Sequence, residues 1–206
     1  MTTWYGKLQR HRAIAVIRAL DFDRGFHMAK AVAAGGMQSI EISWSSDRAA
    51  DLIDRLRSDL PHCTIGAGTL FNRFQLREAI AAGAQFLFSP HTDIDMIQAA
   101  IEAEVPIVPG ALSPTEIVTA WQAGASAVKV FPVSAVGGAN YIRSLQGPLG
   151  HIPLIPTGGI TLQNARESIE AGALAVGLGS SLFPQSYVDS QDWQAITTIA
   201  QQLRFD

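Results

Sequence analysis

One stretch decides the fold: Ala123-Gly124-Ala125-Ser126-Ala127-Val128-Lys129-Val130-Phe131-Pro132. Glycine after an amphipathic segment can take the left-handed conformation that ends a helix, so the Ala-Gly pair marks a helix stop. The apolar run that follows it is typical of a strand covered on both faces. The same signal, each time followed by an apolar run, recurs at Ala34-Gly35, Ala82-Gly83 and Ala171-Gly172. The repeat indicates that helices and strands alternate along the chain.

Eight apolar runs are candidate strands. They begin near Ala13, Ser39, Thr64, Phe86, Pro106, Ala127, Leu154 and Ala175. Helix-length segments lie between them, including 24–34, 48–60, 74–82, 93–104, 114–123 and 162–171, and 191–203 is the expected eighth helix. This count and the internal repeat favour a (β/α)8 TIM barrel over an open doubly wound sheet. We therefore predict an α/β protein with one domain over residues 1–206 and a short N-terminal helix at the bottom of the barrel.

Composition narrows the possible partners. The chain has 206 residues, 48% of them hydrophobic, and a net charge of -3, which argues against a nucleic-acid or anionic-membrane surface. No apolar run reaches the length of a membrane span, and no secretory signal is recognisable. The single cysteine, Cys63, excludes an internal disulfide and suits a reducing compartment. We expect a cytoplasmic protein with a small-molecule partner.

Neither a metal site nor a dinucleotide site is expected. The five histidines are scattered, with no pair at helical spacing and no cysteine partners. No Gly-x-Gly-x-x-Gly follows the first predicted strand. The sequence therefore gives no indication of a metal or another cofactor.

Lys129 is a charged residue in a strand that otherwise reads as fully buried. An unpaired buried ammonium is costly, so the group must find a partner, reach water or give up its proton. A neutral lysine amine is a nucleophile that can form a Schiff base with a carbonyl carbon. The alternative is a structural lysine whose stem lies along the strand while its head reaches solvent or a carboxylate.

Glu41 has the same anomaly on the second predicted strand. It lies between Ile40 and Ile42, which should face the helices, so its carboxylate should point into the barrel, as Lys129 should on the sixth strand. Schiff-base chemistry needs several proton transfers, and one carboxylate within reach can perform them in turn. A buried structural ion pair is the alternative, although it stabilises a core inefficiently.

Other predicted strand ends carry candidate binding groups. Arg18 has inward parity at the end of the first strand and can fork onto a carboxylate or phosphate, or else form ion pairs at the rim. Thr69 follows two glycines that would let a ligand approach the backbone. Pro90 ends the fourth strand, where Ser89-Pro90 could equally be an ordinary turn.

The last two strand ends resemble an anion site. Thr157, Gly158 and Gly159 follow the seventh strand, and Gly179 and Ser180 follow the eighth. TIM barrels frequently hold a phosphate between these two loops, where exposed backbone N–H groups favour an anion. The two loops together predict a phosphorylated ligand.

These residues resemble the class I aldolases that act on 2-keto-3-deoxy-6-phosphogluconate (KDPG) and 4-hydroxy-2-oxoglutarate (KHG). The resemblance runs from Ala13 to about Pro184. It rests on Ile40-Glu41-Ile42, Gly66-Ala67-Gly68-Thr69, Phe88-Ser89-Pro90, Pro109-Gly110, Val128-Lys129-Val130-Phe131-Pro132 and Pro156-Thr157-Gly158-Gly159-Ile160.

The resemblance implies a role for each candidate. Lys129 would be the Schiff-base nucleophile and Glu41 the general acid and base. Thr69 would orient the pyruvyl portion, Phe131 would wall the pocket, and the two glycine loops would hold the phosphate. The products would be pyruvate and glyceraldehyde 3-phosphate, without a cofactor, and a homotrimer is implied.

One position departs from the family pattern. Many relatives carry an arginine four residues after the glutamate, where this chain has Ser45, whereas others have an arginine at the end of the first strand, like Arg18. The galactonate epimer of the substrate stays open as an alternative. So do a phosphosugar isomerase or decarboxylase, in which Lys129 and Glu41 only move protons, and a catalytically silent barrel that binds phosphometabolites.

Overall fold

The computed structural model describes residues 4–203 and 205, and short parallel strands alternate with helices along them. Every predicted strand is present within one residue of its expected start. The strands are β1 (Ala13–Ile17), β2 (Ser39–Ser43), β3 (Thr64–Gly68), β4 (Leu87–Phe88), β5 (Ile107–Val108), β6 (Gly110–Ala111), β7 (Val128–Val130), β8 (Leu154–Pro156) and β9 (Val176–Leu178).

The strands form two parallel sheets rather than the single closed sheet of eight strands that was expected. Six strands pair in the order β5-β4-β3-β2-β1-β9 and three in the order β6-β7-β8. The predicted fifth strand is split into β5 and β6 at Pro109, which has no N–H to donate. Between β8 and β9 there is one isolated bridge, from Thr157 to Gly177. The α/β class with parallel strands is confirmed, whereas a full (β/α)8 barrel is not shown.

Each predicted helical segment is present, and its ends differ from the predicted ends by no more than two residues. The helices are α1 (Trp4–His11), α2 (Phe22–Ala34), α3 (Ala49–Asp59), α4 (Arg73–Ala81), α5 (Ile94–Glu102), α6 (Pro114–Gln122), α7 (Ala139–Leu149), α8 (Leu162–Glu170), α9 (Gln185–Asp189) and α10 (Trp193–Gln201). Helices α7 and α9 were not predicted. Within the described residues, none of these helices is long and apolar enough to cross a membrane.

All four Ala-Gly pairs end helices as predicted. Gly83, Gly124 and Gly172 have φ values of 88°, 98° and 103° directly after the helix caps. At the first pair only the left-handed residue is displaced by one position, because Gly35 is itself the cap with a φ of -75°. The left-handed conformation there falls on Gly36.

Alternation along the strands separates two apolar clusters. One lies between strands and helices and contains Ile40, Ile42, Val128 and Val130. The other, which we call the inner cluster, is enclosed by the strands and consists of Leu8, Ile14, Phe86, Phe88, Val108, Ala127, Ile155, Leu174 and Ala175, with Trp4 packed against it. Leu8 and Trp4 belong to α1, so the predicted N-terminal helix is present and closes the N-terminal end of this interior.

Candidate active site

Glu41 and Lys129 both point into the strand-enclosed interior. Their neighbours along the strands pack toward the helices, so the alternation of β2 and β7 directs the two charged side chains inward. Glu41 is 1% exposed and Lys129 is 5% exposed. The predicted parity of both residues is therefore confirmed.

The amine of Lys129 is surrounded by aromatic rings rather than by carboxylates. Its Nζ lies 4.8 Å from the centre of the Phe131 ring and 5.9 Å from that of Phe88. No carboxylate oxygen of a described residue approaches Nζ within 4.0 Å. An aromatic ring face stabilises a cation much less than a carboxylate does. Lys129 therefore has no counter-charge in direct contact. The alternative of a structural ion pair loses its main support.

The carboxylate of Glu41 is buried without a hydrogen-bond donor. Its Oε1 has no partner among the described residues. Burial raises the pKa of the Glu41 carboxyl, and the positive charges of Lys129 and then Arg18 offset part of that rise. A raised pKa makes a carboxyl a better proton acceptor than an ordinary glutamate, which is the direction that proton-transfer catalysis requires.

Gly68 makes room for this carboxylate. A Cβ on Gly68 of the adjacent strand would overlap the Oε1 and Cδ atoms of Glu41. Any other residue at this position would push the carboxylate away from its present place. Gly68 of the Gly66-Ala67-Gly68 motif thus leaves room for Glu41, whereas ligand access near Thr69 stays a prediction.

A hydroxyl cluster lies at the carboxyl ends of β1, β2 and β3. The Nε of Arg18 donates to Ser43 Oγ at 3.5 Å, and Ser43 Oγ lies 2.9 Å from both Thr69 Oγ1 and Ser45 Oγ. Arg18 has no carboxylate partner within the described chain, so the expected alternative of rim ion pairs is not observed. Sequence reasoning missed Ser43, although its inward parity two residues after Glu41 was a usable signal.

Phe131 and Pro90 border the same interior at two other strand ends. Phe131 is 37% exposed, and its ring lies against the Lys129 amine. The Pro90 carbonyl lies so close to β6 that a Cβ on Gly110 would overlap it. Ser89 Oγ donates to the His91 carbonyl at 2.7 Å, and the binding role expected of Pro90 stays a prediction.

The two glycine loops adjoin each other, as predicted. Gly158 and Gly159 have φ values of 84° and 83°, and Ser181 Oγ donates to the Ile160 carbonyl at 3.0 Å, which ties the loops together. Thr157 is buried beside Gly177. Within the described chain, the backbone N–H groups of Gly159, Gly179 and Ser180 have no hydrogen-bond acceptor.

A cavity of about 410 Å³ opens where the first and last of these strand ends meet. Arg18, Gly179 and Ser180 line it together with apolar side chains such as Met28 and Phe183. The structure thus brings the Arg18 guanidinium to the predicted anion loop. Free backbone N–H groups and an unneutralised arginine are the elements from which phosphate sites are built.

No three His, Cys, Asp or Glu side chains in residues 4–203 and 205 are grouped so that they could hold a metal ion. The site as described consists of an amine, a carboxyl, hydroxyls, one guanidinium and free backbone N–H groups.

Comparison with known proteins agrees with this geometry. The family model for aldolases of the KDPG and KHG type matches residues 5–199. The chain belongs to the KDPG and KHG aldolase family, a family of carbon–carbon lyases. It is 34% identical over 189 residues to the 2-dehydro-3-deoxy-phosphogluconate aldolase of Dickeya dadantii, covering 92% of this chain and 89% of that protein. Identity to the KHG/KDPG aldolase of Escherichia coli is 32%, with the same coverage of both chains.

Two solved structures superpose on most of this chain. The KDPG aldolase of Legionella pneumophila, whose crystal structure holds pyruvate as a covalent carbinolamine intermediate, matches with a TM-score of 0.88 at 27% identity over 97% of each chain. A structure described as native KDPGal matches with a TM-score of 0.85 at 30% identity over 93% of this chain and 91% of that one.

Proposed function

We propose that this aldolase cleaves KDPG to pyruvate and glyceraldehyde 3-phosphate through an imine on Lys129, with 4-hydroxy-2-oxoglutarate as a second substrate that yields pyruvate and glyoxylate. The observation that carries the proposal is a buried lysine amine without a counter-charge in contact, facing the same interior as a buried carboxyl of raised pKa. The covalent pyruvate in the Legionella relative supports the same chemistry.

The proposed reaction begins with attack of the neutral Lys129 amine on the C2 carbonyl carbon of the substrate. Proton transfers through Glu41 convert the carbinolamine to an iminium with loss of water. Glu41 then accepts the proton of the C4 hydroxyl, the C3–C4 bond breaks, and its electron pair moves into the iminium to give an enamine. The aldehyde leaves, Glu41 returns a proton to C3, and water hydrolyses the imine to release pyruvate and restore the amine.

The remaining residues bind and enclose the substrate in this proposal. Thr69 and Arg18 offer a hydroxyl and a guanidinium to its oxygens, and Phe131 and Pro90 wall the reacting end. The phosphate would bind between Thr157, Gly158 and Gly159 on one loop and Gly179 and Ser180 on the other. We propose no resident cofactor, because the iminium itself accepts the electron pair of the broken bond.

The galactonate epimer is the second candidate substrate. It is favoured by the 30% identity to the KDPGal structure and by an arginine at the end of β1. A phosphosugar isomerase or decarboxylase and a silent binding protein are less well supported, since neither needs an amine free of a counter-charge.

One assay separates these candidates. Pyruvate release would be measured with lactate dehydrogenase and NADH from each keto acid, for the native enzyme and for Lys129→Arg, which keeps the charge but not the nucleophile. We expect release from a phosphorylated 2-keto-3-deoxy acid by the native enzyme alone. Turnover of a phosphosugar without pyruvate would support the isomerase, and ligand binding without any turnover would support the silent protein.

We further propose that the two sheets act as one (β/α)8 barrel in a single domain that assembles as a trimer in the cytoplasm. The Thr157–Gly177 bridge and the hydrogen bond from Ser126 N to Ile107 O, 2.9 Å long, support a continuous ring. A designed protein cage made by fusing symmetric oligomeric domains matches with a TM-score of 0.82 at 29% identity over 93% of this chain and 73% of that one, which favours an oligomer. Light scattering in solution tests the trimer.

A further inference from the structure

Ser43 is the centre of the hydroxyl cluster and has no exposed surface of its own. It ends β2 with inward parity and is 0% exposed. Its Oγ contacts Arg18 Nε, Ser45 Oγ and Thr69 Oγ1. A buried serine that joins residues from three different strand ends controls how those residues are oriented relative to one another.

The hydrogen-bonding capacity of Ser43 is used up within this cluster. A hydroxyl has one proton and two lone pairs. Ser43 donates its proton to Thr69 Oγ1, so Arg18 and Ser45 must both donate to the lone pairs of Ser43. Ser43 therefore has nothing left to offer a substrate, and any influence on the reaction passes through its partners.

Thr69 gains a defined orientation from this contact. Its φ of 60° is unusual for a β-branched residue, and such backbone strain persists only where surrounding contacts hold it. Because Thr69 accepts the Ser43 proton, its own hydroxyl proton points elsewhere, and no described residue accepts it. That proton is left for an oxygen atom of a ligand.

Arg18 is oriented by the same hydroxyl. Arg24, Arg48 and Arg55 each pair with an aspartate, whereas the described contact of Arg18 is the neutral Ser43. The Nε contact leaves both terminal nitrogens of the guanidinium without described partners. A guanidinium that is held at Nε and not neutralised is ready to receive an anion.

We infer that Ser43 is a positioning residue that aligns Thr69 and Arg18 as two donors for the oxygens of the keto acid substrate. The inference rests on the proposed aldolase function, and it adds a residue that never touches the substrate. Loss of the Ser43 hydroxyl should weaken substrate binding while the imine chemistry of Lys129 continues.

Ser39 provides a matched control on the same strand. It is also 0% exposed with inward parity on β2, but its Oγ has no hydrogen-bond partner among the described residues. Ser43→Ala and Ser39→Ala each delete one hydroxyl oxygen, at the carboxyl end and the N-terminal end of β2 respectively. Only the first deletion removes contacts to Arg18 and Thr69.

Steady-state pyruvate release from the preferred phosphorylated keto acid is the readout. We expect Ser43→Ala to raise KM about three- to tenfold with kcat within about twofold, because hydrogen bonds that hold binding groups are lost. Ser43→Thr should recover most of the KM, and Ser39→Ala should match the native enzyme. A native KM for Ser43→Ala, or an equal rise for Ser39→Ala, would overturn the inference.

Two further variants complete the test. Ser45 is exposed, so Ser45→Ala carries little risk to folding and should raise KM about twofold through Ser43. In an Arg18→Ala background, Ser43→Ala should have a smaller effect than in the native enzyme, and equal effects would contradict the alignment of Arg18.

Borohydride reduction with pyruvate separates the inference from the function on which it rests. Native enzyme that cannot be trapped would refute the imine itself. Normal trapping of native enzyme, together with unchanged KM values for Ser43→Ala and Ser45→Ala, would refute only the role of Ser43.

Discussion

The N-terminal and carboxyl ends of the strand-enclosed interior are built on opposite principles. At the N-terminal end, Leu8 and Trp4 of α1 pack on Phe86, with the Trp4 and Phe86 rings 5.8 Å apart. At the carboxyl end, Glu41 is 1% exposed with an unpartnered Oε1, and Lys129 is 5% exposed with no carboxylate in contact. The unpartnered buried atoms at the N-terminal end among the described residues, Trp4 Nε1 and Ser39 Oγ, are neutral. Close apolar packing gains stability, whereas a buried charge without a partner costs it, so the carboxyl end gives up stability that the N-terminal end keeps.

Two lysines illustrate the contrast. Lys7 of α1 donates from Nζ to Thr64 Oγ1 at 3.0 Å, at the N-terminal end of β3. Lys129 Nζ faces the rings of Phe131 and Phe88. The chain has only three lysines, the third being the exposed Lys30, so each can be replaced separately.

The largest expected effect comes from replacing these lysines. Lys129→Met should lower kcat by about 10³-fold or more, because the covalent step is lost, whereas Lys7→Met should retain most of the activity. Pyruvate release measures both. Comparable losses in the two variants would mean that the two ends of the interior do not differ in function.

Two glycines of β3 should separate activity from stability. Gly68→Ala would displace the Glu41 carboxylate, and we expect kcat to fall about 10- to 100-fold. Gly66→Ala would instead press on the Phe86 ring, so it should lower Tm with a smaller effect on kcat.

Thermal unfolding and steady-state kinetics on both glycine variants check this prediction. If Gly66→Ala proves the more damaging to kcat at equal folded fraction, the assignment of Glu41 to catalysis is wrong.

Glu41→Gln should reveal the cost of the buried carboxylate as a function of pH. Burial raises the pKa of Glu41 in the folded protein, so the protonated carboxyl stabilises the fold fully at pH values below the usual carboxyl pKa. That stabilisation is lost as pH rises through the pKa of Glu41 in the folded protein. Glutamine does not titrate. The Tm of Glu41→Gln should therefore exceed that of the native protein by roughly 2–6 °C at about pH 8 and match it near pH 4.5.

Scanning calorimetry across that range tests the direction. A native protein that gains stability over Glu41→Gln as pH rises would show that the carboxylate has a strong partner after all.

The smallest effect concerns Cys63, which is buried just before β3 at the N-terminal end. Burial raises the pKa of the Cys63 thiol to about 11. We expect its reaction with a disulfide reagent at neutral pH to be slow until the protein unfolds, with activity preserved meanwhile. Rapid labelling of the folded protein would show that this end is more open than its packing indicates.

The local pattern of the chain predicted most of the fold. Alternation placed Glu41 between isoleucines that face the helices, and the glycines after α4, α6 and α8 stopped those helices as expected. The split at Pro109 was not foreseen, because sheet pairing depends on the donors of several strands at once. The one-residue error at Gly35 arose because two consecutive glycines leave the position of the left-handed residue open.

The candidate site was predictable in its types of residue but not in its contacts. Parity brought Lys129, Glu41 and Arg18 to one interior, whereas Thr69 reaches the same cluster through a left-handed residue after β3 that parity does not predict. The role of Ser43 depends on side chains from three strand ends meeting at one oxygen, and no spacing in the sequence records that meeting. The closeness of Gly68 to the Glu41 carboxylate likewise exists only across two paired strands.

The most direct test is reduction of the imine. Native enzyme would be incubated with pyruvate and borohydride, digested and examined by peptide mass spectrometry, with Lys129→Arg treated in parallel. We predict one reduced pyruvyl group on the peptide containing Lys129, a matching loss of activity, and no adduct in the variant. A fully active, unlabelled enzyme, or a label on Lys7 or Lys30 instead, would contradict the account.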